Sequence, residues 1–92
     1  MPAIPVTVPG MLRHAIGDAA YVTIEAATLP DLVAQLKRRF PLLVPLVWTE
    51  TGELRKHVLI FLNDTASRWL PSPDMPLKDG DRVTIVQAVS GG

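Results

Sequence analysis

The sequence predicts an α+β domain in which one main helix packs on a mixed sheet of four or five strands. One amphipathic helical pattern, at Leu29–Phe40, stands between stretches whose apolar residues alternate as they do in strands. The chain has 92 residues, of which 48% are hydrophobic and 20% charged. That length and composition are typical of a single globular domain with one modest core.

The first two strands are predicted at Ala3–Val8 and Tyr21–Glu25, where apolar side chains occupy every second position. Pro5 lies inside the first strand, and proline favours an edge or a bulge because it has no amide hydrogen to donate. A long connecting loop, Met11–Ala19, would join the two strands as an antiparallel pair.

The helix has a recognisable beginning and end. Thr28 is a typical N-cap, and Asp31 occupies the position from which a side chain can bond back to the cap. Basic residues fill the last turn, where they complement the helix dipole, and Pro41 ends the helix. The apolar stripe consists of Leu29, Leu32, Val33, Leu36 and Phe40.

Three elements are predicted after the helix. Leu42–Trp48 is apolar but contains Pro45, which predicts an irregular or short 3₁₀ segment that closes one end of the core. Val58–Asn63 is apolar on both faces and predicts a buried strand. Ser67–Leu70 is interpreted as a short edge strand.

The last strand is predicted at Arg82–Gln87, after a tight Asp79-Gly80-Asp81 turn. The resulting order is strand, strand, helix, strand, short strand, strand. This order suits a β-grasp (ubiquitin-like) fold, in which the first and last strands lie parallel in the centre of the sheet. We therefore predict a β-grasp domain at residues 1–87 and a flexible tail at residues 88–92.

The predicted tail is Ala88-Val89-Ser90-Gly91-Gly92. Paired glycines favour a loose segment, and without side chains they can enter a slot that a larger residue would block. Five extended residues reach roughly 17 Å, enough to deliver a carboxylate into a partner's active site. A frayed terminus is the alternative interpretation.

Composition and spacing argue against several functions. Nine basic residues balance nine acidic ones, so no basic surface for nucleic acid or an anionic membrane is expected. The chain has no cysteine, which fits the cytoplasm. Its two histidines, His14 and His57, are far apart, so we expect no metal site, because structural zinc needs four clustered ligands. Ser90 has no base beside it, so we expect no catalytic residue in this chain.

Several segments together resemble the small ubiquitin-like sulfur carriers, the MoaD/ThiS-like family with a C-terminal Gly-Gly. The resemblance covers nearly the whole domain, and its most specific part is an Asp-Gly-Asp turn followed by an apolar strand and a terminal Val-Ser-Gly-Gly. The matching segments are Val6–Pro9 with Leu12-Arg13, the Thr28–Pro41 helix, Val58–Asp64, Leu77–Ile85 and Ala88–Gly92.

The resemblance implies carrier chemistry at Gly92. In the family, an ATP- and Mg-dependent adenylating (E1-like) enzyme activates the terminal carboxylate, which is then converted to a thiocarboxylate. The sulfur goes to an acceptor in cofactor or metabolite biosynthesis, such as that of the molybdenum cofactor. This chain would be no enzyme and would bind no cofactor itself. Its partners would be the adenylating enzyme and a sulfur-accepting synthase, and we expect a monomer when it is free.

Three other functions fit the same pattern. The chain could be the small subunit of a molybdopterin-synthase-like complex, a ubiquitin-like protein modifier, or a plain β-grasp interaction domain. The sulfur acceptor stays open among a pterin, a thiazole, an activated serine derivative and a siderophore precursor.

An apolar patch is predicted on the outer face of the sheet, because a single helix covers only the other face. Such a patch usually marks a partner site. The alternative is that Trp48, Trp69 or a second copy of the chain covers it. The predicted docking residues are Leu59, Phe61 and Val86, with polar contacts from Arg13 and Arg82.

Overall fold

The computed structural model describes residues 1–87 of the chain. Within that range, one sheet of five strands packs against one main helix. The strands are β1 (Ala3–Thr7), β2 (Tyr21–Glu25), β3 (Val58–Leu62), β4 (Thr65–Ala66) and β5 (Val83–Gln87). The helices are α1 (Leu29–Arg39) and a single turn, α2 (Val44–Val47).

The sheet confirms the predicted β-grasp topology. Its strand order is β2-β1-β5-β3-β4. β1 runs antiparallel to β2 and parallel to β5, where Val6 lies opposite Val83. β5 in turn runs antiparallel to β3. The first and last strands are therefore adjacent and parallel at the centre of the sheet.

Pro5 lies in a central strand, although proline favours an edge. Amide groups alternate in direction along a strand. The Val8 amide donates to the Ala20 carbonyl on the β2 side at 3.0 Å, so the Pro5 nitrogen faces β5. Pairing between β1 and β5 begins only at Val6 and Val83. The missing donor thus falls just before the first residue pair, where no ladder hydrogen bond is lost.

Helix α1 forms as its sequence predicts, one residue shorter at its end. The Thr28 hydroxyl accepts from the Asp31 amide at 3.3 Å, and Phe40 is the C-terminal cap. Leu29, Leu32 and Leu36 are buried against the sheet. The amphipathic stripe therefore covers one face of the sheet.

The predicted Met11–Ala19 loop instead contains a 3₁₀ helix at Gly10–Ile16. Its buried residues, Leu12, Ala15 and Ile16, are spaced three and four apart and contribute to the core. Gly17 ends the helix with φ of 79°, a left-handed conformation that glycine adopts without steric cost. The connection is therefore a packed part of the domain.

The predicted edge strand at Ser67–Leu70 is wrong. Asn63 adopts φ of 54° and turns the chain at once, so that Leu62 pairs with Thr65 and Phe61 with Ala66. The edge strand β4 is therefore two residues long and ends before Ser67. A 3₁₀ turn, Ser67–Trp69, follows it.

The core fills the space between the sheet and α1. Ile4, Ile60 and Ile85 project from three adjacent strands and are almost fully buried. Leu77, from the loop before β5, is buried in the same core. Trp48 is only 4% exposed, and the Lys37 ammonium lies 4.7 Å from the centre of its ring. Trp48 therefore belongs to the core and does not cover the outer face of the sheet.

Candidate functional site

Strand β5 carries the chain to the predicted tail. Val83 and Ile85 point into the core, and β5 pairs with β3 along its whole length, ending with Gln87 opposite Val58. The predicted tail residues, Val89, Ser90, Gly91 and Gly92, lie outside the described residues. What the structure describes is the strand before them, which is paired with β3 along its length and with β1 only at Val83 and Thr84.

The start of β5 is fastened to the end of β3 by Asn63. Its amide nitrogen donates to Asp81 Oδ1 at 3.1 Å, and its Oδ1 accepts from the Arg82 amide at 3.0 Å. Its own backbone amide donates to the Arg82 carbonyl at 2.8 Å. These contacts set the register of β5 against β3.

Asp81 is a turn residue, as predicted for the Asp79-Gly80-Asp81 segment. Its amide donates to the Lys78 carbonyl at 3.0 Å, and Gly80 adopts φ of 92°. Hydrogen bonds from the Asn63 side chain and the Lys78 amide lower the pKa of Asp81 below its ordinary value of 3.8, and the Lys78 charge adds to this effect. The ionised carboxylate is therefore the form that holds the turn closed.

The outer face of the sheet carries the predicted apolar patch. Leu59 and Phe61 are half-buried on β3, between core residues that point the other way. Leu59 lies opposite Val86 on β5, which is 37% exposed. The strand register is thus as predicted, with these three side chains on the face away from α1.

A groove extends this patch towards the β4 edge. Its volume is about 420 Å³, and Leu59 and Phe61 line it together with Trp69, which is 75% exposed. Arg68 and Asp64 supply the charged groups of the lining. Trp69 therefore forms one wall of the groove and leaves it open.

The two predicted arginines occupy different places. The Arg82 guanidinium makes an ion pair with Asp64 at 2.9 Å, which places it beside the groove. Arg13 is half-buried, and its Nε donates to the Val8 carbonyl at 3.0 Å at the end of β1. The groove lining does not include Arg13. Leu59, Phe61 and Val86 therefore lie together on one face of the sheet. Arg82 lies near them, and Arg13 lies outside the groove.

His14 and His57 are both exposed. Within residues 1–87, no three side chains of the metal-binding types come together. No helix in the same range is long and apolar enough to cross a membrane.

Sequence reasoning missed the contribution of Trp69 and Arg68 to the groove. Both residues follow the two-residue strand β4 on a 3₁₀ turn. The available signal was a large aromatic residue beside a charged one in a stretch without an apolar periodicity, a pattern that does not bury well. Because Ser67–Leu70 was interpreted as a strand, Arg68 and Trp69 were expected on opposite faces of the sheet, and their shared groove was not predicted.

Comparison with known proteins agrees with the fold and the tail sequence. The model of the ThiS family matches residues 6–92, nearly the whole chain. This chain belongs to the ThiS family. It is thus a member of the ubiquitin-like sulfur carriers, as the resemblance in its sequence implies.

Two relatives with similar sequences are named sulfur carrier proteins. The chain is 30% identical to the sulfur carrier protein CysO of Mycobacterium tuberculosis, with 97% of this chain and 98% of that protein covered. It is 44% identical to the sulfur carrier protein ThiS of Thermus thermophilus over 46 residues, which cover 50% of this chain and 72% of that protein.

A solved structure agrees with the fold over its full length. It is the crystal structure of the Amycolatopsis orientalis BexX/CysO complex, with a TM-score of 0.80 and 27% identity. The match covers 98% of this chain and 100% of the other. A chain of nearly the same sequence length and fold thus occurs in a complex with another protein.

Proposed function

We propose that this protein carries sulfur on the α-carboxylate of Gly92. The observation that supports this most is the extent of the family match, which continues through Ser90, Gly91 and Gly92. The whole-length relative is named a sulfur carrier, which agrees with the same role. The protein would present its carboxylate to other enzymes and catalyse no step itself.

Two steps convert the carboxylate into a sulfur donor. A carboxylate is a poor electrophile, so an oxygen of Gly92 first attacks the α-phosphorus of ATP and releases pyrophosphate, which gives an acyl-adenylate. A hydrosulfide ion supplied by a sulfur donor then attacks the acyl carbon, AMP leaves with the electron pair of the broken C–O bond, and the thiol proton is lost to solvent. The product is a thiocarboxylate, in which one carboxylate oxygen has been replaced by sulfur.

The activating partner would bind the ATP and magnesium. Within residues 1–87, neither histidine is part of a cluster suited to a metal. The groove is lined by one acidic side chain, Asp64, and one basic side chain, Arg68. The adenylating enzyme and the sulfur-accepting synthase are thus the proposed partners. A solved complex of a related CysO with a second protein supports this arrangement.

The outer face of the sheet is the proposed docking surface. Leu59, Phe61 and Val86 form an apolar centre that desolvates on contact, and charged groups lie beside it. Val86 also lies one residue before Gln87, the last described residue of β5. A partner bound to this face would therefore hold the protein next to the start of the tail.

Intact mass spectrometry tests the proposal. Incubation with a competent adenylating enzyme, ATP and a sulfur donor should add about 16 Da, since one oxygen is exchanged for one sulfur. Deleting Gly91 and Gly92 should abolish the adenylate and the thiocarboxylate, while the melting temperature stays the same. If the mass does not change with a competent partner, the sulfur-carrier proposal fails, and the interpretation as a β-grasp interaction domain replaces it.

A second variant tests whether activation needs a narrow segment before Gly92 as well as the Gly92 carboxylate itself. Gly91→Val keeps the carboxylate but adds a branched side chain beside it, so we expect activation to stop. Gly91→Ala is the matched control, because its single methyl group is the smallest addition. A smaller loss with alanine than with valine indicates a steric slot in the partner.

A further inference from the structure

Strand β2 forms one edge of the sheet, and a strand at an edge presents backbone groups that no neighbouring strand pairs. The Val8–Ala20 hydrogen bond fixes which residues of β2 point towards β1. By alternation, the amides and carbonyls of Tyr21, Thr23 and Glu25 face away from the sheet. Such groups form a template for another strand.

The sequence of β2 contains few of the usual protections against strand addition, because Glu25 is its one charged residue. It reads Tyr-Val-Thr-Ile-Glu, and most of these residues favour strands. It has no proline, lysine or bulge. In an antiparallel pair of two copies centred on Thr23, Thr23 would meet Thr23 and Tyr21 would meet Glu25, without repulsion between like charges.

Two side chains of α1 occupy two of the three outward carbonyls of this edge. The Gln35 amide donates to the Glu25 carbonyl at 2.7 Å, and the Arg39 guanidinium donates to the Thr23 carbonyl at 3.3 Å. Gln35 and Arg39 are four residues apart, so both lie on the same side of the helix. Thr23 and Glu25 are two residues apart, so both carbonyls face the same edge.

The position of Gln35 is fixed further by its own helix. Its amide nitrogen also donates to Asp31 Oδ2 at 3.2 Å, one turn earlier. Asp31, Gln35 and Arg39 therefore form a polar row beside β2. An incoming strand would have to displace this row before it could donate to either carbonyl.

We propose that Gln35 and Arg39 prevent a second copy of this chain from pairing with the open edge of β2. The two side chains supply the protection that the strand itself lacks. They keep the protein monomeric, so that each copy meets its partners singly. The opposite edge is limited in another way, because β4 is only two residues long.

The test compares the double variant Gln35→Ala/Arg39→Ala with the unchanged protein. Alanine keeps the helix propensity high and removes both donors. Arg38→Ala is the charge-matched control, because Arg38 is exposed on the same turn. Light scattering after size exclusion should give about twice the monomer mass for the double variant as concentration rises, and the monomer mass for the control.

Hydrogen exchange locates the association. In the associated double variant, the amides of Tyr21, Thr23 and Glu25 should exchange at least about tenfold more slowly than in the dilute protein. Thr23→Pro removes the central amide that a second copy would use, and its addition to the double variant should restore the monomer. If the proline variant does not fold, Thr23→Lys serves the same purpose, since lysine protects natural edges.

Three results would overturn the proposal. The double variant could remain monomeric up to about 1 mM, a range in which exposed edges associate. It could associate without slower exchange in β2, or the change at Thr23 could fail to reverse the association. The single variants Gln35→Ala and Arg39→Ala are measured as well. If the double variant does not fold, the mass and the hydrogen exchange of these two proteins test the proposal.

Discussion

The two faces of the sheet are built from the same strands but differ in what covers them. On β3, Ile60 points towards α1 and is buried, whereas its neighbour Phe61 points outward and is half-buried. The same alternation holds on β5, where Ile85 is buried and Val86 exposed. Both faces are apolar at this point, but only the inner one has the helix against it.

This difference separates stability from recognition. Burial of the inner face supplies most of the hydrophobic free energy of folding. The outer face keeps apolar area exposed to water, and such exposed area usually marks a place where another surface binds. Substitutions in neighbouring residues of one strand should therefore have different consequences.

The largest contrast is expected between Ile60→Asp and Phe61→Asp. A carboxylate at Ile60 would be buried without a partner, at a cost of several kcal/mol, so most of that variant should be unfolded. Phe61→Asp should remain folded but bind the adenylating enzyme at least about tenfold more weakly. Circular dichroism and a binding titration measure the two effects. A folded Ile60→Asp protein would contradict the assignment of the faces.

A second contrast tests the helix side of the core. Leu36 is 1% exposed, and Leu36→Ala should lower the free energy of unfolding by about 2–5 kcal/mol because it removes burial and leaves a cavity. Leu42 is 68% exposed, so Leu42→Ala is the matched control and should change the stability by less than about 0.5 kcal/mol. Urea melts compare the two, and equal losses would argue against the core described above.

The groove on the outer face is tested with Trp69→Ala. The side chain is 75% exposed, so its loss should change the free energy of unfolding by less than about 0.5 kcal/mol. Binding to the partner should weaken by about 1–2 kcal/mol if the groove is part of the docking surface. Tyr21→Ala, an exposed aromatic residue at the opposite edge of the sheet, is the control. Equal effects on binding would indicate that the groove has no special role.

The smallest effect is expected at the turn before β5. Because the pKa of Asp81 is lowered in the folded protein, its carboxylate stabilises the fold above pH 3.8, and this stabilisation is lost as the pH falls through the lowered pKa. Asp81→Asn should cost about 1 kcal/mol or less near neutral pH. The difference from the unchanged protein should shrink in acid. Asp79→Asn in the same turn is the control, and urea melts at several pH values provide the comparison.

The fold was predictable because most elements are marked locally. Thr28 and Pro41 bound the helix, and alternation with a glycine turn marks β5. The 3₁₀ helix at Gly10–Ile16 was missed because its three buried residues are too few to establish a period. The strand predicted at Ser67–Leu70 was wrong because the conformation of Asn63, which decides where β4 pairs, depends on its contacts with Asp81 and Arg82, eighteen and nineteen residues later.

The candidate site was predictable only in part. Leu59, Phe61 and Val86 follow from alternation together with one helix, since that helix can cover only one face. Trp69 could not be assigned to the groove, because its position depends on how a two-residue strand ends. Arg13 matched a family motif, but the structure holds it against the Val8 carbonyl. The roles of all these residues in docking stay predictions.

The sequence by itself determined the main helix, the four longer strands, the two faces of the central strands and the membership of the ThiS family. Periodicity, capping residues and motifs are properties of neighbouring residues, so they can be recognised without the fold. The tertiary structure decided which side chains meet across the sheet. It joined Trp69 to the apolar patch, fastened Asn63 to Asp81, and set Gln35 and Arg39 along the edge of β2. Those contacts link residues that are separated along the chain. Strand pairing brings Asn63 to Asp81 and Trp69 to the patch, and the packing of the helix on the sheet brings Gln35 and Arg39 to β2.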